Sequence, residues 1–152
     1  MTWHLAQLNL GRFSYPLDAP EMAEFVEALD RINALADASP GFVWRLQGDE
    51  GESSSYLEVP GTTDPLLASN LSVWTDYGSL RDFMYRTDHA SYLRRRDEWF
   101  ERDKVAMTVG WWISAGSLPT LDDAVRRLDH LRDHGPSDEG FPLTRTIPDP
   151  PA

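Results

Sequence analysis

The chain has 152 residues, no cysteine and a formal charge of −11. That length supports one domain with a real core, while the charge excludes a nonspecific grip on nucleic acid or an anionic membrane, which needs a basic face. Without cysteine, disulfides, thiolate metal sites and a cysteine nucleophile are excluded together. No segment approaches membrane-spanning length, and MTWHLAQLNLGRF lacks the basic-then-apolar layout of a secretory leader, so the cytoplasm is the expected compartment. Six tryptophans, five tyrosines and six phenylalanines are a heavy load for so polar a chain. Aromatic side chains fill cores, and they also wall pockets for flat ligands.

In chain order, WHLAQLNL (3–10) alternates Leu5, Gln7 and Asn9 with His4, Ala6, Leu8 and Leu10, the period of a half-buried strand. A helix follows, with Met22, Phe25, Val26, Leu29, Ile32 and Ala36 at helical spacing, opened by a capping box of Asp18 and Glu21 and closed by Pro40 and Gly41. FVWRLQG (42–48) is a second strand, and the Gly-, Ser- and Pro-rich DEGESSSYLEVPGTTDP a long connection. LLASNLSVWT (66–75) is the third strand. Asp76 caps the next helix through Leu80, Phe83 and Met84, with a break near Thr87 and Asp88 and a restart through Tyr92, Leu93, Trp99 and Phe100. KVAMTVGWWIS (104–114) is the fourth strand. Thr120 and Asp123 start a last helix with a Leu121, Val125, Leu128, Leu131 stripe, and Gly135 ends it.

This β-α-β-β-α-β order with a terminal helix predicts an α+β, ferredoxin-like fold: a four-stranded antiparallel sheet over residues 1–135 with helices on one face. Residues 136–152, rich in proline, are expected to be extended or loosely ordered. Leu5, Gln7 and Asn9 with Asn70, Ser72 and Trp74 make a semi-polar, aromatic face, assigned here to the open side of the sheet. A homodimer through that face, closing a dimeric α/β barrel around a cavity, is the expected assembly.

The residues WHLAQLNLG, INALADASPGFVWRLQ, SVWTDYGSLRDFMYRTDH, LRRRDEWFE and the tandem-tryptophan strand carry a resemblance. Together they resemble the dimeric α/β-barrel superfamily that includes the antibiotic biosynthesis monooxygenases, and within it a bacterial family known as a domain of unknown function. The resemblance implies the barrel fold. It also implies a small aromatic or polyketide-like ligand, with cofactor-independent oxygenation as the leading chemistry. A non-oxidative cyclase or isomerase, or a ligand binder without turnover, are the alternatives. Oxygenases of that superfamily pair an asparagine and a tryptophan four residues apart on a cavity strand, and Asn70 and Trp74 match that spacing. The haem-degrading branch matches poorly, since its signature tryptophan falls at Phe83 and its iron-binding histidine near Arg94 or Arg95.

His89 is the candidate general base, because an imidazole titrates near working pH and sits just past a helix break. Its alternative role is a structural histidine at that break. Gln7, Asn9, Asn70 and Ser72 are neutral groups suited to a phenolate or carbonyl oxygen, or else to a polar interface. Trp74, Trp44, Trp111 and Trp112 are candidate walls for an aromatic ligand, or ordinary packing, with Phe83 a further candidate substrate contact; Tyr85 and Arg45 are candidate secondary donors, or surface and core residues. His130 and His134 have zinc-like spacing on a helix but no third ligand nearby. The run Arg94, Arg95, Arg96 reads as a solvated helix face. No phosphate loop, metal motif or flavin fingerprint is present, so no cofactor or metal is expected.

Overall fold

The computed structural model describes residues 1–152. Four strands, β1 (Trp3–Arg12), β2 (Phe42–Arg45), β3 (Leu67–Trp74) and β4 (Thr108–Ser114), form one antiparallel sheet in the order β2-β3-β1-β4. The helices are α1 (Ala23–Asp37), α2 (Tyr77–Arg86), α3 (His89–Arg94) and α4 (Leu121–His134). This is the ferredoxin-like α+β arrangement expected.

Local chemistry explains most boundaries. Asp76 Oδ1 accepts the Ser79 amide at 2.8 Å and starts α2, and Thr120 Oγ1 accepts the Asp123 amide at 3.2 Å and starts α4. Gly135, at φ 78°, ends α4 in a conformation that costs other residues a steric penalty. The capping box expected of Asp18 and Glu21 is absent. A short 3-10 turn, Pro20–Met22, leads into α1 instead, and the fixed φ of Pro20 supplies the first-turn geometry that a side-chain cap would have stabilised.

Strand alternation puts Leu5, Gln7, Asn9 and Gly11 on one face of β1 and Ala6, Leu8 and Leu10 on the other. Register extends each set: Gln7 pairs with Ser72 and Gly110, and Ala6 with Val73 and Trp111. The Ala6 face is dry core. It packs under Ala124, Leu128 and Leu131 of α4, and Val59 from the 49–65 connection joins the same cluster. The Gln7 face lies under α1, α2 and α3 of the same chain. This corrects the assignment of that face to an open side: the chain's own helices occupy the surface proposed for a dimer contact. The reason is topological. Because α4 and the long connection cover the back of the sheet, both faces are closed within one chain.

The segment after α4 forms no further helix or sheet strand and is held down against β4. Phe141 is buried and exchanges two backbone hydrogen bonds with Gly110 at the outer edge of β4, at 2.8 and 2.9 Å. The Tyr77 hydroxyl donates to the Thr144 carbonyl (2.6 Å), and Trp112 Nε1 donates to the Pro148 carbonyl (3.0 Å). A side chain at Gly110 would collide with Leu143, its Cβ lying 2.5 Å from a Leu143 methyl, so this strand position is adapted to the tail.

If the tail closes the sheet edge as described, Phe141→Ala removes a buried ring and should lower unfolding free energy by about 3–5 kcal/mol. Urea unfolding followed by tryptophan fluorescence tests this. A change within error of zero would mean that the tail is not seated on β4 in solution.

Candidate functional site

The Gln7 face does not pack solidly against the helices. Between them lies a cavity of about 370 Å³. Its floor is the sheet, where β3 sets a polarity gradient: Trp74 is buried at the inner end, Ser72 is buried midway, and Asn70 is exposed at the mouth, opposite Asn9 in register. Its roof is α1, through Phe25, Ala28, Leu29, Ile32, Asn33 and Ala36, together with α2 and α3.

A buried polar network fixes the floor. Trp74 Nε1 donates to Ser72 Oγ at 2.9 Å, and Gln7 Nε2 donates to the same oxygen at 2.7 Å and to Asn70 Oδ1 at 2.7 Å. Ser72 thus has both lone pairs engaged, and its own O–H proton is taken by no protein acceptor. Bonds accepted in this way polarise a hydroxyl and strengthen it as a donor. Ser72 is among the residues that line the cavity.

An aromatic row continues from the floor into the roof. Trp74 stacks on Phe83 at 5.4 Å between centroids, Phe83 lies 4.9 Å from the His89 ring, and Phe42 meets Trp74 edge-on at 5.4 Å. His89 opens α3 just after the helix break. Thr87 makes that break: its hydroxyl donates back to the Phe83 carbonyl at 2.5 Å, while its backbone leaves the helix in an extended conformation.

The His89 ring is oriented by its Nδ1, 3.2 Å from the Met84 carbonyl. A carbonyl only accepts, so Nδ1 carries the proton and Nε2 is left as a lone-pair acceptor without a protein partner. Burial pushes the imidazole pKa below its ordinary value, with the Met84 bond opposing more weakly. The adjacent Asp88 does not reverse this, for its carboxylate turns to Arg31 at 3.3 Å.

Of the residues expected at a site, the cavity brings together Gln7, Asn9, Asn70, Ser72, Trp74, Phe83, Tyr85 and His89. Trp44 and Trp111 are corrected, since both belong to the core on the opposite face. A β-bulge in β2 is the cause for Trp44: Phe42 pairs with Trp74 but Trp44 pairs with Val73, so Phe42 and Arg45 face the cavity and Trp44 turns away. Trp111 pairs with Ala6 and follows it into the dry core, where Arg127 lies 5.2 Å over its ring. His130 and His134 adjoin each other at 4.6 Å without an acidic or histidine partner set for a metal. Residues not singled out beforehand as site residues include Phe42, Tyr92, Trp99, Phe100 and Arg96. Gly11 permits this lining, because a Cβ there would lie 2.5 Å from the Phe100 ring.

A neutral buried imidazole couples to pH with a definite sign. The unfolded chain protonates His89 at about its ordinary value of 6.5, whereas the folded protein does so only at lower pH. Its contribution to stability is therefore complete above 6.5 and is lost as pH falls through the lowered folded-state value. His89→Gln should flatten the stability-versus-pH curve below 6.5 in urea unfolding. An unchanged slope would show that the imidazole is not held neutral by burial.

Comparison with known proteins adds a family. Residues 4–152 match the model of the domain of unknown function DUF3291, and the chain belongs to that family. No curated protein matches it. Among solved structures, SnoaB, a cofactor-independent oxygenase from Streptomyces nogalater, is similar at 15% identity over 76% of this chain and 95% of that one, with a TM-score of 0.48. A conserved protein from Methanosarcina mazei Go1 is similar at 16% identity, covering 74% and 92%, with a TM-score of 0.46. NE2512, a protein of unknown function from Nitrosomonas europaea, is similar at 13% identity, covering 78% and 97%, with a TM-score of 0.47. No helix of the chain is long and apolar enough to cross a membrane.

Proposed function

We propose that this DUF3291 member is a small-molecule enzyme that oxygenates an aromatic or polyketide-like substrate without a cofactor, using His89 as the base. The observation that carries the proposal is the orientation of His89. Its Nδ1–H is committed to the Met84 carbonyl, so a neutral imidazole offers Nε2 as an acceptor in an aromatic-lined cavity.

The substrate ring lies among Trp74, Phe83, Phe42 and the α1 side chains, with its oxygen toward Ser72. His89 Nε2 removes a proton from a phenol or from the activated methylene beside it. The Ser72 hydroxyl, backed by Gln7 and Trp74, donates to the oxygen on which negative charge develops. The resulting carbanion is electron-rich enough to reduce dioxygen, the second substrate. Electron transfer and recombination form a C–O bond to a peroxide, which takes back the proton held by the imidazolium. Loss of the remaining C–H proton then breaks the O–O bond. The methylene carbon ends as a carbonyl, carrying one atom of dioxygen, while the other atom leaves as water with the two hydrogens of the methylene. Closure under α1–α3 keeps bulk water from quenching the carbanion.

Oxygen uptake with a panel of anthrones and naphthols tests the proposal. Wild-type protein should consume dioxygen as product forms, and His89→Gln should turn over about a hundredfold more slowly with little change in affinity, the effect of losing a general base. Turnover that proceeds equally well without oxygen would reassign the site to a cyclase or isomerase. Binding without conversion would make the protein a ligand carrier, and full activity in His89→Gln would leave the histidine structural.

A further inference from the structure

We propose that the cavity selects an aromatic ligand bearing a carboxylate, and that Arg96 holds the carboxylate at its mouth. The inference deepens the preceding proposal and rests on its reading of the cavity as an aromatic binding site.

Charge distribution is the first argument. Twenty-five of the 152 residues are aspartate or glutamate, yet no acidic side chain lines the cavity. Its charged lining consists of Arg45 and Arg96 alone, with His89 held toward its neutral form. An acidic protein has thus cleared one concavity of carboxylates.

The two arginines differ in what already engages them. Arg45 donates through Nε (2.7 Å) and Nη2 (3.2 Å) to the two Asp37 oxygens, a bidentate pair that neutralises it. Arg96 makes no ion pair and no side-chain hydrogen bond; its guanidinium lies 5.8 Å from the Phe100 ring centroid, itself part of the lining. The neighbours that could have neutralised it are committed elsewhere. Glu98 and Glu24 both bind Arg95, and Asp97 binds Arg102, acting on Arg96 only through its charge and without a contact. A guanidinium in this state presents a planar set of donors matched to a carboxylate. The ligand's ring would then occupy the apolar interior while its anion stays at the exposed Arg96, so no buried charge has to be desolvated. The overall negative charge of the protein opposes an approaching anion, but screening over about 8 Å in physiological salt leaves the local arginine dominant at contact.

The test compares 2-naphthoate with 2-naphthamide, which share ring and shape and differ in charge. Calorimetric titration should give the naphthoate an affinity about fivefold higher, the scale of a partly exposed ion pair, with the preference shrinking as salt is raised. Arg96→Gln should abolish the preference, with naphthoate losing more affinity than naphthamide. Arg96→Lys should retain part of it, and Arg94→Gln, outside the cavity lining, all of it. Equal binding of the two probes by the wild type, or a preference that survives Arg96→Gln, overturns the carboxylate inference and leaves the aromatic cavity standing. Failure of both probes to bind overturns the inference together with the aromatic reading beneath it.

Discussion

A single serine oxygen organises the interior of this protein. Ser72 Oγ accepts from Gln7 across the β1–β3 pair and from Trp74 two residues along its own strand. Those bonds fix the indole, the indole sets the plane on which Phe83 stacks, and Phe83 in turn adjoins the His89 ring. Buried polar groups left without partners cost roughly 1–3 kcal/mol each, so this arrangement is held by the penalty for breaking it. One O–H remains over, and it belongs to a side chain on the cavity wall.

The two faces of the sheet solve different problems with the same strands. On the Ala6 side, Leu8, Leu71, Val73 and Val109 meet the leucines of α4 in a dry core that supplies stability. On the Gln7 side, two satellite clusters anchor the helices at either end, one around Trp74 and Phe83 and one around Phe13 and Trp99. The cavity lies between the anchors. With the helices fixed at both ends, the middle can stay unfilled, and a site supported by rigid elements is held more precisely than one on loops. Arg31 adds a tie across the roof, reaching from α1 to Asp88 and to the Tyr92 hydroxyl at 2.6 Å.

Much of this was legible in the residues. Alternation in β1 and β3 put Gln7, Asn9, Asn70, Ser72 and Trp74 on one face, and the Thr87–Asp88 break placed His89 at a helix start. Periodicity could not say which face the helices take, since both faces end up buried and only the path of α4 and the connection decides between them. Trp44 was lost to a bulge at Val43, a one-residue slip that local composition does not reveal. Trp111 and Trp112 had to point to opposite sides, but the pairing of Trp111 with Ala6 was needed to tell them apart. Arg96 was hidden in a run of three arginines because its distinction lies in Arg95 capturing Glu24 from a distant helix.

The proposed chemistry depends on one proton: Nδ1 of His89 must carry it and Nε2 must not. Nitrogen-15 NMR of histidine-labelled protein at neutral pH reads this directly, with His89→Gln identifying the resonance. The structure predicts a neutral imidazole in the Nδ1–H tautomer, with a lone-pair shift at Nε2 that moves when an aromatic ligand enters the cavity. An imidazolium, or a proton resident on Nε2, would contradict the account, because the cavity would then hold a donor where the chemistry requires an acceptor.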